Sequence, residues 1–259
     1  MDVTHINQSG FTWNIRVPKC FQDEHVVFEV VTCDCYHLQD IGPLYKPEVI
    51  LDIGGHIGTF GVYAKSFWPD AKLVVVEPCA ENLELYKLNA KSNGLKNVRF
   101  IHGAIGYDPD RTCLVNSPTS TGGHLLLNRK QADEYTDKQY RFYNVIQDDA
   151  VKIYTVEDIV GDYQYIDFAK WDCEGGEVEA FKQMRDDTAL KFKFMCGEYH
   201  IWSEKSDYLK PDLFECIKFW RDVRRKFPHL NFTYKENALG PFQAWPKIKN
   251  EVTMAGVRV

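Results

Sequence analysis

Residues 49–61 read Val-Ile-Leu-Asp-Ile-Gly-Gly-His-Ile-Gly-Thr-Phe-Gly, and this order decides the fold. An apolar run, Val49 to Leu51, ends in an acid, Asp52. A glycine-dense turn follows at Gly54, Gly55 and Gly58, and an apolar helical stretch comes next. A buried parallel strand, a tight turn and a helix N-terminus in immediate succession is the layout that cradles nucleotide-type cofactors. The spacing Gly54-Gly55-His56-Ile57-Gly58 misses the G-x-G-x-x-G pattern of a dinucleotide site.

Asp52 sharpens the choice of cofactor. A carboxylate at the end of a buried strand is costly unless paired. A dinucleotide has no use for it, because its pyrophosphate is already anionic. S-adenosylmethionine (SAM) brings an ammonium and a sulfonium, so an acid there is useful. A second strand, Leu73-Val74-Val75-Val76, ends in Glu77. A carboxylate at that point accepts two hydrogen bonds from a ribose diol, which serves NAD and SAM equally well.

Working outward, the helix after Gly58 carries Phe60, Tyr63, Ala64 and Phe67 at helical spacing, and Trp68-Pro69-Asp70 stops it. A helix is expected from about Ala80 to Ser92 with Gly94 as its stop, then a strand at Val98 to Ile101. Further strands are expected at Val151 to Tyr154, Tyr165 to Trp171 and Phe192 to Cys196. A brief helix opens at Thr155-Val156-Glu157-Asp158, and others follow Gly175-Gly176 and Pro211-Asp212. The stretch 106–150 is too long for an idle connection and reads as a hairpin or lid near the site. Two late strand candidates, Phe232 to Tyr234 and Val252 to Val259, suggest an antiparallel hairpin at one edge. Alternating strands and helices give a mostly parallel sheet with helices on both faces. Residues 1–47, in which Phe28-Glu29-Val30-Val31 is the clearest strand, read as an N-terminal cap over the site. Residues 48–259 read as one domain.

The chain has 259 residues, 44% of them apolar, and a formal net charge of −6, ample for one large α/β core. That balance, without a basic-aromatic groove signature, weighs against a nucleic-acid partner, and none is expected. Eight cysteines are scattered, and the lone C-x-C at Cys33 and Cys35 is poor evidence for zinc. No apolar run approaches membrane-spanning length and the N-terminus lacks an apolar signal region. The expectation is a protein of a reducing compartment, the cytoplasm, with no membrane span.

Four blocks give the chain a family likeness over roughly residues 49–200. They are Asp52-Ile53-Gly54-Gly55-His56-Ile57-Gly58; Glu77-Pro78 with Asn82, Asn89, Asn93 and Gly94; Thr155-Val156-Glu157-Asp158 with Lys170-Trp171-Asp172-Cys173-Glu174-Gly175-Gly176-Glu177; and Glu198-Tyr199-His200. The chain resembles the FkbM-type SAM-dependent methyltransferases. The Lys-x-Asp-x-Glu-Gly-x-Glu block is the most specific of the four. The resemblance implies a Rossmann-like class I fold, a seven-stranded mostly parallel sheet, and O-methylation of a sugar hydroxyl. The expected acceptor is a glycan or a deoxyhexose such as rhamnose, and the chain fits as part of a larger glycan-building protein. It also implies a SAM site made of Asp52, Gly54, Gly55, His56, Gly58, Thr59, Phe60, Glu77, Pro78, Asn82, Ala104 and Asp172. One departure is visible: His56 stands where the family usually has Asn, and imidazole is larger and titrates near neutrality.

An alcohol acceptor needs a base or a metal, because its hydroxyl is a weak acid. Lys170, Asp172 and Glu174 share one side of their strand if it stays extended, and so do Glu198 and His200 on the next. Three readings of this candidate catalytic set stand open. His200 or Asp172 is a general base; or some of these groups hold Mg²⁺ or Mn²⁺; or the charges are structural, with Lys170 pairing a neighbouring carboxylate. Two further functions compete: an NAD-dependent oxidoreductase or epimerase, disfavoured by the glycine spacing and by Asp52, and a non-catalytic SAM-fold interaction module.

Overall fold

The computed structural model describes residues 2–17, 21–110, 113–117, 120–138, 144–145, 151–200, 213–234 and 239–246. The chain opens with a hairpin, β1 (Val3–Gln8) and β2 (Phe11–Arg16). Next come α1 (Phe21–Val27), which runs on as a π-helical turn over Phe28–Thr32, and the short α2 (Leu38–Ile41). The Rossmann-like half follows: β3 (Val49–Ile53), α3 (Thr59–Phe67), β4 (Lys72–Glu77), α4 (Ala80–Ser92), β5 (Val98–His102) and β6 (Ala104–Ile105). An excursion contains β7 (Cys113–Ser117), β8 (Ser120–Leu127), α5 (Arg129–Lys138) and β9 (Asn144–Val145). Then come β10 (Ile153–Tyr154), α6 (Val156–Val160), β11 (Ile166–Trp171), α7 (Gly176–Gln183), α8 (Asp186–Ala189) and β12 (Phe192–His200). The chain's described part ends in α9 (Leu213–Lys226), β13 (Leu230–Tyr234) and β14 (Leu239–Pro246).

Seven of these strands form one sheet in the order β13-β14-β12-β11-β3-β4-β5. The pairs from β12 to β5 are parallel, and β14 runs antiparallel to both β12 and β13. The near-continuous apolar runs of β3, β4 and β11 follow from this place, because central parallel strands are buried on both faces. One face packs on α6, α7 and α9 through residues such as Trp171, Phe181 and Trp220. The other packs on α3, α4 and the N-terminal segment through Trp13, Phe60 and Tyr86. The expected seven-stranded, mostly parallel architecture with an antiparallel edge hairpin is what the chain adopts.

Two elements differ from expectation. Phe28 to Val31 is helical, not a strand: Val27, Val30 and Val31 are buried while Phe28 is about half exposed, a helical period that overrides β-branched propensity. The last strand among the described residues is β14, whose Gly240 and Pro241 hid its strand character in the sequence. The candidate at Val252 to Val259 lies outside the described residues. Residues 106–150 do supply a hairpin, β7–β8.

The N-terminal hairpin is tied to α4 by asparagines. Asn89 Oδ1 accepts the Asn14 backbone N–H at 2.6 Å, and its Nδ2 donates to the Ile57 carbonyl at 2.7 Å. Asn93 accepts the Thr12 N–H at 3.0 Å and donates to the Thr12 carbonyl at 2.8 Å. These amides satisfy the open edge of β2, which would otherwise bury unpaired backbone groups.

Candidate active site

The carboxyl ends of β3, β4 and β11 open on a cavity of about 460 Å³. In an open α/β sheet ligands bind at this edge. The turn after β3 forms its floor. Gly54 and Gly55 donate their N–H groups to the Val76 carbonyl, at 3.0 and 3.2 Å. Gly54 has φ +76°, and a Cβ there would stand 1.7 Å from the Asp172 carbonyl oxygen, so the junction of β3 and β11 admits no side chain. Gly58, at φ +92°, starts α3 against the Tyr86 ring.

Glu77 closes one end. Its Oε2 accepts the His56 N–H at 2.8 Å, and its Oε1 accepts the Cys79 N–H at 2.9 Å and the Asn82 amide at 3.3 Å. Burial raises its pKa, and these donors hold the rise back. Beside it, Thr59 sits at the start of α3 with its hydroxyl buried and without a hydrogen-bond partner, on the cavity wall. Gly54, Gly55, His56, Phe60, Pro78, Asn82, Ala104 and Asp172 also line the cavity, as the sequence leads one to expect.

Two expected cofactor contacts stand back from it. Gly58 shapes the turn from behind. Asp52 is fully buried, bonded to the Tyr86 hydroxyl at 2.8 Å and 3.5 Å from Lys170 Nζ, and it is not a lining residue. Asp52 is joined to the cavity through Lys170, whose ammonium also holds the turn. Burial raises the Asp52 pKa, against the pull of Lys170 and Tyr86.

Lys170 ties the end of β11 to the turn after β3. Its ammonium donates to the carbonyls of Gly54 at 2.5 Å and Ile53 at 3.3 Å, between Asp52 and Asp172 at 3.5 and 3.6 Å. Burial acts to lower its pKa, but the charges of Asp172 and Asp52 win and raise it. It stays a cation that fastens the turn to β11.

Asp172, Glu174 and Glu198 gather at the other end of the cavity, on the adjoining ends of β11 and β12. Glu174, at φ +55°, and Gly175, at φ +99°, break the strand and start α7. Tyr36 donates to Asp172 Oδ2 at 3.0 Å. Burial pushes the Asp172 pKa up, yet Lys170, His200 and Tyr36 overcome it and hold it below the usual value. Glu198 and Glu174 are each pushed up to about 7, burial being the largest cause and neighbouring carboxylates adding to it.

His200 lies behind them. Its Nδ1 is 3.1 Å from Glu177 Oε1, which also accepts the His200 N–H at 2.6 Å, and its Nε2 is 3.7 Å from Glu198 and 3.8 Å from Glu174. Burial acts to lower its pKa. The Glu177 bond and the charges of Glu177, Glu174 and Asp172 prevail and push it up to about 10. In this arrangement the His200 ring stands among three carboxylates, Glu174, Glu177 and Glu198.

Sequence reasoning missed Tyr36 and Glu29, which reach the cavity from the N-terminal segment, and His124 to Leu127 of β8, which form its opposite wall. No motif marks them. Glu177, in the first turn of α7, is fully buried and holds the His200 ring. His56 meets Thr121 of β8 at 2.9 Å; burial, with the charge of Arg16, pulls its pKa well below the usual imidazole value.

The chain is similar to known proteins in sequence and in fold. The family described as "Methyltransferase FkbM domain" matches residues 52–234. "Methyltransferase 1" of Beauveria bassiana is 21% identical over 172 residues, 63% of this chain and 68% of that protein. "Methyltransferase sdnD" of Sordaria araneosa is 27% identical over 176 residues, 60% of this chain and 66% of that protein. Among solved structures, a SAM-dependent methyltransferase from Agrobacterium tumefaciens superposes with a TM-score of 0.50 at 11% identity, over 95% of this chain and 70% of that one, a likeness of fold. Among the described residues no helix is long and apolar enough to cross a membrane.

Proposed function

The chain belongs to the family of methyltransferases defined by the FkbM domain, and on that premise we propose that it transfers a methyl group from SAM to a sugar hydroxyl. The acceptor is part of a glycan or glycoside, with a deoxyhexose such as rhamnose the first to test. Family membership displaces the oxidoreductase alternative.

The residues fit the cofactor. Thr59 offers an unpartnered buried hydroxyl, and the start of α3 offers backbone N–H groups, both suited to a carboxylate. Glu77 keeps acceptor capacity for a ribose diol. The cavity volume lies in the range of small-molecule sites, roughly 300–1,000 Å³. When bound, SAM supplies a methyl group already activated on a sulfonium for in-line transfer to oxygen.

The observation that carries the reading is the pair of carboxylates, Asp172 and Glu198, at the end of the cavity away from Glu77. Asp172, ionised through Lys170 and Tyr36, accepts a hydrogen bond from the acceptor and orients it. Glu198, with its pKa near neutrality, takes the hydroxyl proton at an Oε atom, and His200 holds the charge balance as that proton arrives. A divalent cation is the second reading of the same groups: Asp172, Glu198 and His200 offer ligand atoms within 4.8 Å of one another. The Lys170 ammonium beside Asp172 and the proton on His200 disfavour Mg²⁺ or Mn²⁺ there.

The test is methyl transfer to a panel of glycosides, rhamnosides included, followed by mass spectrometry, with SAM, S-adenosylhomocysteine and NAD titrated calorimetrically. Binding of NAD and not SAM contradicts the reading. The pH dependence is specific. Glu198 must be ionised, so kcat/KM rises through about pH 7, and it falls again near pH 10 as His200 loses its proton. Glu198→Gln is expected to lower kcat by about 10²- to 10⁴-fold and to abolish the acid limb. An unchanged acid limb would remove Glu198 from the role of base.

A further inference from the structure

The charges on the cavity wall are lopsided. Glu29, Asp172, Glu174 and Glu198 all line it, and Glu198 feels the charges of both Asp172 and Glu29. Lys170 is the one lysine or arginine among the described lining residues. It is 4% exposed and committed to two carbonyls and two acids, so it offers nothing to an incoming anion. His200 is not on the wall and sits among Glu174, Glu177 and Glu198, and Arg16 lies at the Glu77 end, bonded to Asp23 and Asn82.

The same acids are poorly supplied with donors. The side chains of Glu29, Glu174 and Glu198 accept no hydrogen bond from any other described residue, whereas Glu77 at the far end accepts three. These carboxylates are partly exposed and face the cavity, where their oxygens accept hydrogen bonds from donors on a ligand. Sugar hydroxyls are such donors. A phosphate is not: it carries a charge of about −1.5 to −2 at neutral pH and offers acceptors to acceptors.

Resting on the sugar-methyltransferase reading above, we propose that this end of the cavity selects against anionic acceptors. The sugar is methylated as an uncharged glycoside, not as a sugar phosphate or a nucleotide-activated sugar. The reaction that supplies the substrate is then a glycosyl transfer, which has already released the phosphate or nucleotide. Glu29 and Glu174 act as specificity residues in this scheme, and a positive group on the acceptor is tolerated where a negative one is not.

Two measurements on the full chain test this together. In the first, kcat/KM is compared for one sugar presented as methyl glycoside, as 1-phosphate and as nucleoside diphosphate. The neutral form is expected to be better by about 100-fold, from the cost of like charges brought together. Glu29→Gln and Glu174→Gln are each expected to narrow the gap by about 3- to 10-fold. In the second, SAM and S-adenosylhomocysteine are titrated into the same proteins. Their key difference is the sulfonium charge, so each variant is expected to lower the ratio of the two affinities by about 3-fold while leaving that for S-adenosylhomocysteine in place. The proposal is overturned if a phosphorylated form is methylated as well as the neutral one, or if the affinity ratio does not move in either variant. If no sugar of any charge is methylated but the ratio falls as stated, the charge assignment stands and the choice of a sugar as acceptor fails.

Discussion

A buried lysine joins the two halves of the site. Lys170 Nζ touches the carbonyls of Ile53 and Gly54 on one strand end and stands between Asp52 and Asp172. A methionine in its place would keep the volume and leave the buried Asp52 without a cation and Asp172 with His200 alone. Removing one member of such a group costs about 3–5 kcal/mol, because the remaining charge is left uncompensated. Lys170→Met is therefore expected to lose stability of that order in urea unfolding and to weaken SAM binding through the loosened turn. Lys170→Met with Asp52→Asn should recover part of the stability, since the stranded charge is removed with its partner. Full stability in the single variant would mean that the ammonium carries no structural charge balance. At this scale much was legible: Asp52, Glu77, Asp172 and Glu198 are acids at strand ends, and a strand-end acid is conspicuous in an apolar run. What could not be read was which of them faces the cavity and which faces a tyrosine or a lysine. That depends on Tyr86 and Tyr36, which come from distant parts of the chain.

Among the elements, α4 carries more than its own packing face. Asn82, Asn89 and Asn93 form a stripe along it, and each holds something outside the helix: Glu77, then β2 and the Ile57 carbonyl, then Thr12. Asn89→Ala strands the Asn14 N–H and the Ile57 carbonyl in a buried setting. At about 1–3 kcal/mol for each unsatisfied group, the loss is expected to be about 2–6 kcal/mol. The loss should be local first: hydrogen exchange at residues 11–16 speeds up well before that of β3 and β4. Uniform acceleration across the sheet would instead make the asparagine a part of the global core. The sequence showed the asparagines but gave no reason for them, because their partners are backbone groups of a hairpin that has no motif of its own. Central strands were legible for the opposite reason. Burial on both faces writes them as unbroken apolar runs, whereas Phe28 to Val31 and Leu239 to Pro246 sit at the margins, where period and punctuation disagree.

For the whole molecule, the cavity is assembled from three stretches that are far apart in the chain. The sheet edge supplies the glycine turn, Glu77 and Asp172. The N-terminal segment supplies Gln22, Glu29 and Tyr36, and the β7–β8 hairpin supplies Leu114 and His124 to Leu127. The last two also meet each other, since Thr121 donates its N–H to Gln22 at 2.6 Å and its hydroxyl to Asp23 at 3.0 Å. A ligand that fills the cavity therefore binds the native arrangement of all three and none of the unfolded chain. By linkage, S-adenosylhomocysteine at 100 times its Kd adds about 2.7 kcal/mol of stability. For a chain of this size that corresponds to a rise in Tm of roughly 5–11 °C. Its distribution distinguishes a built cavity from an open shelf. If the segment and the hairpin are true walls, ligand-induced protection from hydrogen exchange appears at residues 21–32 and 120–127 as well as at 54–59 and 77–82. Protection confined to the glycine turn and Glu77 would show that the cofactor is held by the sheet edge alone. In that case the acids reached from the N-terminal segment would not form one chamber with those on β11 and β12.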